Sequence, residues 1–152
     1  MRRAARHVGR YLLELGGWIL FGLVVATAVV YAAGTVTTTE VTKPSVKKVT
    51  FAWTSSAGGA ADATTTAFFD GKLIGLTTIP AAAGSAPTDN YDIVVNDSDG
   101  HDVLLGAGQN RDTATTEYVA ETSLGAVASS KLTLAITNAG ATKAGTVILY
   151  IR

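Results

Sequence analysis

Leu15 to Ala33 reads LGGWILFGLVVATAVVYAA, nineteen residues without a charge. It limits what the chain can become more than any other stretch. As a helix rising ~1.5 Å per residue it would cover roughly 28 Å, close to the hydrocarbon thickness of a bilayer. Three glycines lie inside it, which membrane helices tolerate better than soluble ones. Trp18 and Tyr31 stand near its ends, where amphipathic rings favour the headgroup region. Residues 1–14 carry Arg2, Arg3, Arg6 and Arg10 against a single acid, Glu14. That bias keeps the arginine-rich end in the cytoplasm and sends the rest out. The expectation is one transmembrane or signal-anchor helix over 15–33, N-in and C-out.

Two other readings of this segment stay open. Ala32-Ala33-Gly34 offers small residues after an apolar run, as a cleaved signal peptide does. Against cleavage, the run exceeds the usual apolar region of ~7–15 residues, and Tyr31 stands where a small residue is wanted. Gly9 followed five residues later by Glu14, then by the apolar run, resembles the leader of type IV pilins. Here Arg10 replaces the Phe or Met usual in that family. The run also stops near Gly34, short of the long pilin stem.

From Thr35 onward the composition changes. Eight Lys or Arg stand against eleven Asp or Glu. A domain with this balance has no basic face for phosphates, which argues against nucleic-acid binding. There is no cysteine, so the exported part must hold together through an apolar core or through assembly with neighbours.

The pattern in this part has a period of two. Residues 34–45 read as a linker or first strand, β-branched until Pro44 interrupts it. Val46 to Thr54 places Val49, Phe51 and Trp53 on one face, with Lys48, Thr50 and Ala52 opposite. Ser55 to Ala63 reads as a flexible loop too small to pack. Thr64 to Phe69 and Lys72 to Ile79 flank Asp70-Gly71, which predicts a type I′ hairpin. A long loop, Ala81 to Asn90, follows. Tyr91 to Val95 and His101 to Leu105 read as strands around the NDSDG turn at 96–100. After a polar loop at 106–116, a short strand is expected within Glu117 to Leu124. Lys131 to Thr137 is another. Thr146 to Ile151 is nearly continuous in apolar residues and so belongs at the centre of its sheet.

Seven to eight short strands punctuated by Gly, Pro, Asn and Asp predict an all-β domain over 46–152. The fold expected is a single antiparallel β-sandwich or jelly-roll-like domain. Its core should be Val49, Phe51, Trp53, Leu76, Ile93, Val95, Leu104, Leu132, Leu134, Ile136, Val147 and Leu149.

Few residues suggest chemistry. Asp89, Asp92, Asp97, Asp99 and Asp102 form the densest acidic cluster. Asp97-x-Asp99-Gly100 partly matches a calcium loop. In that register, however, Val95 takes the first ligand position and Gly106 the twelfth, so the EF-hand pattern fails. A solvated turn with Asx-type hydrogen bonds is the better reading. His7 and His101 are the only histidines and are too far apart in sequence to suggest a zinc pair. His101 and Asp102 point to opposite strand faces and make a poor dyad. No serine sits in a nucleophile elbow, and Gly106-x-Gly108 lacks the helix a phosphate loop requires. Asn96-Asp97-Ser98 is a glycosylation sequon by pattern alone. Phe51, Trp53, Phe68, Phe69 and Tyr91 have the spacing of a packed core rather than of a ligand platform. No catalytic, metal or cofactor residue is assigned, and an enzyme is not expected.

The stretch PTDNYDIVVNDSDGHDVLLGAGQNRDTATTE resembles a family of small, mostly uncharacterised proteins among the structural genes of tailed and other bacteriophages. VKKVTFAWTSSAGGAA and the terminal KLTLAITNAGATKAGTVILYIR share the likeness, which covers roughly 46–152. The resemblance implies a compact β-domain on or in a virion, without catalysis. Its partners would be other virion proteins and further copies of itself. That family does not normally begin with a membrane helix, so residues 15–33 depart from it. The competing expectation is a membrane-anchored binding module or pilin-like subunit of the bacterial cell envelope.

Overall fold

The alternation at Val49, Phe51 and Trp53 is the backbone of the larger sheet in the computed structural model, which describes residues 33–152. Nine strands follow one another. They are β1 (Thr35–Thr42), β2 (Lys47–Thr54), β3 (Ala61–Thr64), β4 (Phe69–Pro80), β5 (Asp92–Asn96), β6 (Glu117–Ala120), β7 (Ala126–Ser130), β8 (Thr133–Thr137) and β9 (Ala144–Ile151). The larger sheet runs β1-β2-β9-β4-β6, and β7 pairs with the start of β4. The smaller runs β3-β8-β5. Every pairing is antiparallel. The fold is all-β and sandwich-like, with two sheets enclosing one core.

Register explains which residues are inside. Phe51 faces Val147 and Val49 faces Leu149, and Leu149 in turn faces Leu76. In the smaller sheet Ile136 lies between Ala61 and Ile93, and Leu134 lies opposite Val95. The twelve residues from Val49 to Leu149 named for the core are all buried, and Phe69, Leu73, Val103, Leu124, Val127 and Ile151 join them. Trp53 and Tyr91 meet at the end of the core with ring centroids 5.7 Å apart. The run Thr146 to Ile151 is central, as expected, between β2 and β4.

Several local expectations are overturned. Asp70-Gly71 is not a hairpin turn. Both residues lie inside β4, and β3 pairs with β8 in the other sheet. Residues 65–68 carry the chain between the sheets, because Phe69 and Leu73 are wanted in the core. Gly71 instead forms an irregularity in the β4–β7 pairing at φ +125. His101 to Leu105 is not a strand. It makes one bridge, between Asn96 and Asp102, takes the Gly125 N–H on the Val103 carbonyl, then rolls into turns. The cause is Asp102, whose carboxylate accepts the N–H groups of Leu104 (3.0 Å) and Gly106 (2.8 Å). Such side-chain acceptors compete with strand pairing.

Ser55 to Ala63 is not a loose loop either, for Ser55, Gly59 and Ala61 are buried. The Ser55 hydroxyl donates to the Gly140 carbonyl (2.6 Å) and accepts the Lys143 N–H (2.9 Å). Strand β7 has no counterpart in the sequence pattern. Phe68 leaves the expected core group: it is 63% exposed, with the Lys131 ammonium 5.4 Å from its ring centroid.

The expected membrane helix lies outside the described residues except for Ala33. Among the described residues, no helix is long and apolar enough to cross a membrane.

Candidate interaction surface

Each strand of the larger sheet has a second face. On β1 it presents Thr35, Thr37, Thr39 and Val41. On β2 the same face carries Lys48, Thr50, Ala52 and Thr54. On β9 it carries Ala144, Thr146, Ile148 and Tyr150, and on β4 Thr77 and Ile79. Tyr118 and Ala120 of β6 complete it. Lys48 is the one charged residue among these. The face is a plate of threonine, alanine and larger apolar side chains.

Local backbone geometry shapes one end of this plate. The register of β4 against β9 shifts between Leu73 and Gly75, so Ile74 and Gly75 share the position opposite Tyr150. Such a bulge bends the strand and turns an extra side chain outward. The Tyr118 ring lies against Gly75, and its hydroxyl donates to the Ile74 carbonyl at 3.2 Å. Val46, Ile74, Thr77, Tyr118 and Tyr150 line a shallow depression of about 370 Å³. A second depression of about 470 Å³ lies at the other end, among Thr35, Thr54, Ile79 and Thr146. Sequence reasoning missed this surface, although a signal was present. TVILYI is apolar on both faces, and a strand of that kind wants both faces covered. Among the described residues no second layer lies over Ile148 and Tyr150.

The acidic side chains have a different task. The Asp97 carboxylate accepts the N–H groups of Asp99 (3.0 Å) and His101 (2.9 Å), closing the NDSDG turn. Asp97, Asp99 and His101 bring their potential ligand atoms within 4.8 Å of one another. Asp99 and His101 are exposed, and three such groups fall short of the six to eight oxygens calcium takes. Asp92 faces elsewhere, accepting from the Asn110 N–H (3.0 Å) and the Asn138 amide (2.8 Å). Asp102 serves the turns after it, and Asp89 is exposed. The five aspartates read together in the sequence thus form no common site. Glu40 on β1 accepts the N–H groups of Thr66 (2.7 Å) and Ala67 (2.9 Å). Glu117 accepts the Asp112 N–H (2.8 Å) and pairs with Arg111 at 3.4 Å. Gly106-x-Gly108 is followed by turns, not a helix. His7 lies outside the described residues.

These contacts set the titration behaviour. The His101 backbone N–H holds the Asp97 carboxyl below its ordinary value, with Asp99 N–H helping. Asp112 is lowered too, first by the Ala114 N–H. Burial pushes the Tyr91 phenol up to about 12, and the Glu117 charge adds to it. For a depressed carboxyl the sign is definite. The turn's contribution is present above the unfolded pKa, about 3.9, and is lost as pH falls through the lower folded value. In a carbon-detected NMR titration, Asp97 and Asp112 should titrate below the ~3.9 of an unperturbed aspartate. The His101 amide signal should move with Asp97. An Asp97 midpoint at or above that of an unperturbed aspartate, about 3.9, would refute this arrangement.

No family model matches the chain, and neither the curated proteins nor the solved structures include a match to it.

Proposed function

We propose that this is a non-enzymatic structural protein, a bacteriophage virion component that is capsid-associated or minor in the particle. Its β-sandwich, jelly-roll-like in this reading, packs against other virion proteins and further copies of itself, with residues 15–33 held in a membrane. The observation that carries the proposal is the second face of the larger sheet. Over β1, β2, β9 and the second half of β4 it offers a broad plate whose one charge is Lys48, with Lys72 at its margin, and the central strand β9 places Ile148 and Tyr150 on it. A contiguous face of this kind marks an interaction surface. The carboxylates support the same reading: Asp70, Asp92, Asp97, Asp102, Asp112 and Glu40 are all spent on backbone N–H groups of their own chain.

The alternative is a membrane-anchored binding module or pilin-like subunit of the bacterial envelope. The Gly9–Glu14 spacing ahead of the apolar run favours it. Mass spectrometry separates the two. Peptides from residues 46–152 are expected in particles purified free of host membranes, in constant ratio to the major capsid protein. Their absence there, with the chain recovered from host membranes, would overturn the virion reading.

A further inference from the structure

Among the described residues, β1 is the one long strand at the end of a sheet whose outer side is unpaired. The free edge of β5 is covered by the segment after it: Ile93 N–H donates to the Gly108 carbonyl, Val103 N–H to Val95, and Arg111 N–H to Tyr91, each at 2.8 Å. Strands β6 and β7 have four and five residues and are joined through a 3-10 turn. Strand β3 has four residues and lies against β1. Strand β1 has eight, in unbroken register with β2. Among the described residues nothing pairs with its other edge.

Natural edges of this length are guarded by an internal proline, a bulge, or lysines along the strand. TVTTTEVT has none of these. Its one charge, Glu40, turns inward, which is also a way to guard an edge, but its carboxylate is already bonded to the N–H groups of Thr66 and Ala67, so pairing of the edge would not leave it bare. What remains is a neutral, β-branched strand.

We propose that β1 pairs antiparallel with β1 of a second copy of this chain, so that the larger sheet continues across a two-fold axis. The inference rests on the assembly reading above and names the contact. A nearly neutral strand with no pairing partner on its outer side among the described residues fits its own copy, since identical strands related by a two-fold axis meet antiparallel. The pleat restricts the register. Thr37 and Thr39 lie on the outer face and Thr38 on the inner. A two-fold axis perpendicular to the sheet keeps faces together, so paired positions must both be odd or both even. The centre is therefore a residue facing its own copy. Thr38 or Thr39 in that place pairs most of the strand and keeps Glu40 away from Glu40. The threonine- and alanine-rich plates of the two copies then form one continuous surface.

The chain has no cysteine, so single cysteines report the register cleanly. In the full chain in detergent micelles, Thr37→Cys, Thr38→Cys and Thr39→Cys are oxidised mildly, with Thr64→Cys on β3 for comparison. Residues facing each other directly have Cα atoms about 4.5–5.5 Å apart, within disulfide range. A disulfide-linked dimer should dominate at Thr38 or Thr39 and drop at least about tenfold at the other two β1 positions. The double variant Thr37→Lys with Thr39→Lys puts four like charges beside the axis. Its light-scattering mass should fall from two chains to one, with an unchanged far-UV circular dichroism spectrum. No cysteine peak on β1, or a dimer that survives the two lysines, overturns the proposal. If the chain is found in particles while the β1 cysteines stay unlinked, the virion reading stands and this contact falls. Linked cysteines in a chain found only in host membranes would uphold this contact and remove the virion reading.

Discussion

Replacing Phe51 with alanine should cost about 3–5 kcal/mol and leave most of the domain unfolded under mild heating. Phe51 is fully buried on β2, opposite Val147 of the central strand. Its ring belongs to the single core enclosed by the two sheets. Removing it loses the transfer energy of the ring and leaves a cavity besides. Against the roughly 5–15 kcal/mol that holds a typical domain, the loss is a large fraction. Thr50→Ala, one residue away on the opposite face, is the comparison and should move stability by less than about 0.5 kcal/mol. Thermal unfolding followed by far-UV circular dichroism measures both. A Phe51→Ala loss below about 1 kcal/mol would contradict this core.

Gly71→Ala should be nearly as costly, at about 3 kcal/mol or more. Gly71 has φ +125, a conformation that is essentially reserved for glycine and costs other residues about 1–3 kcal/mol. A Cβ there would also run into the Arg152 carbonyl oxygen. That carbonyl accepts the Lys72 N–H at 2.8 Å, and the Arg152 N–H returns a bond to Lys72 at 3.0 Å. Relieving the clash would strain both, at about 0.5–1.5 kcal/mol each. Gly84→Ala separates the two causes. Gly84 has φ +96, but nothing lies within 4 Å of its would-be Cβ. It should lose only the conformational part. Equal losses at the two positions would mean that Arg152 does not press on Gly71, and the placement of β4 would have to be redrawn.

This glycine also shows where local signals mislead. Asp-Gly between two apolar runs is a strong hairpin pattern, because a type I′ turn needs positive φ at both positions. The pattern reports that glycine is needed, not why. Here it is needed for a close approach between β4 and the C-terminal residue, while the flanking run Thr64–Phe69 is divided between the two sheets. His101 to Leu105 misleads differently. Its alternation suits a strand, but the Asp102 carboxylate offers the following N–H groups a nearer acceptor than any strand. Phe68 and Phe69 are adjacent aromatics, and only the crossing point between the sheets decides that Phe69 goes in and Phe68 out.

The sequence by itself determined the all-β class, the inward residues of β2, β5, β8 and β9, and the central place of β9. Each rests on a period of two or on a continuous apolar run, and both are properties of neighbouring residues. It also held the near neutrality of the part from Thr35 onward. Only the tertiary structure decided which strands share a sheet, because pairing depends on residues far apart in the chain, such as Ala61 with Ile136 and Val49 with Leu149. For the same reason it alone decided that the acidic residues act as separate latches, and that β1 ends its sheet with no strand beyond it among the described residues. A side chain's alternation tells which face it is on; what lies across that face is set by the whole chain.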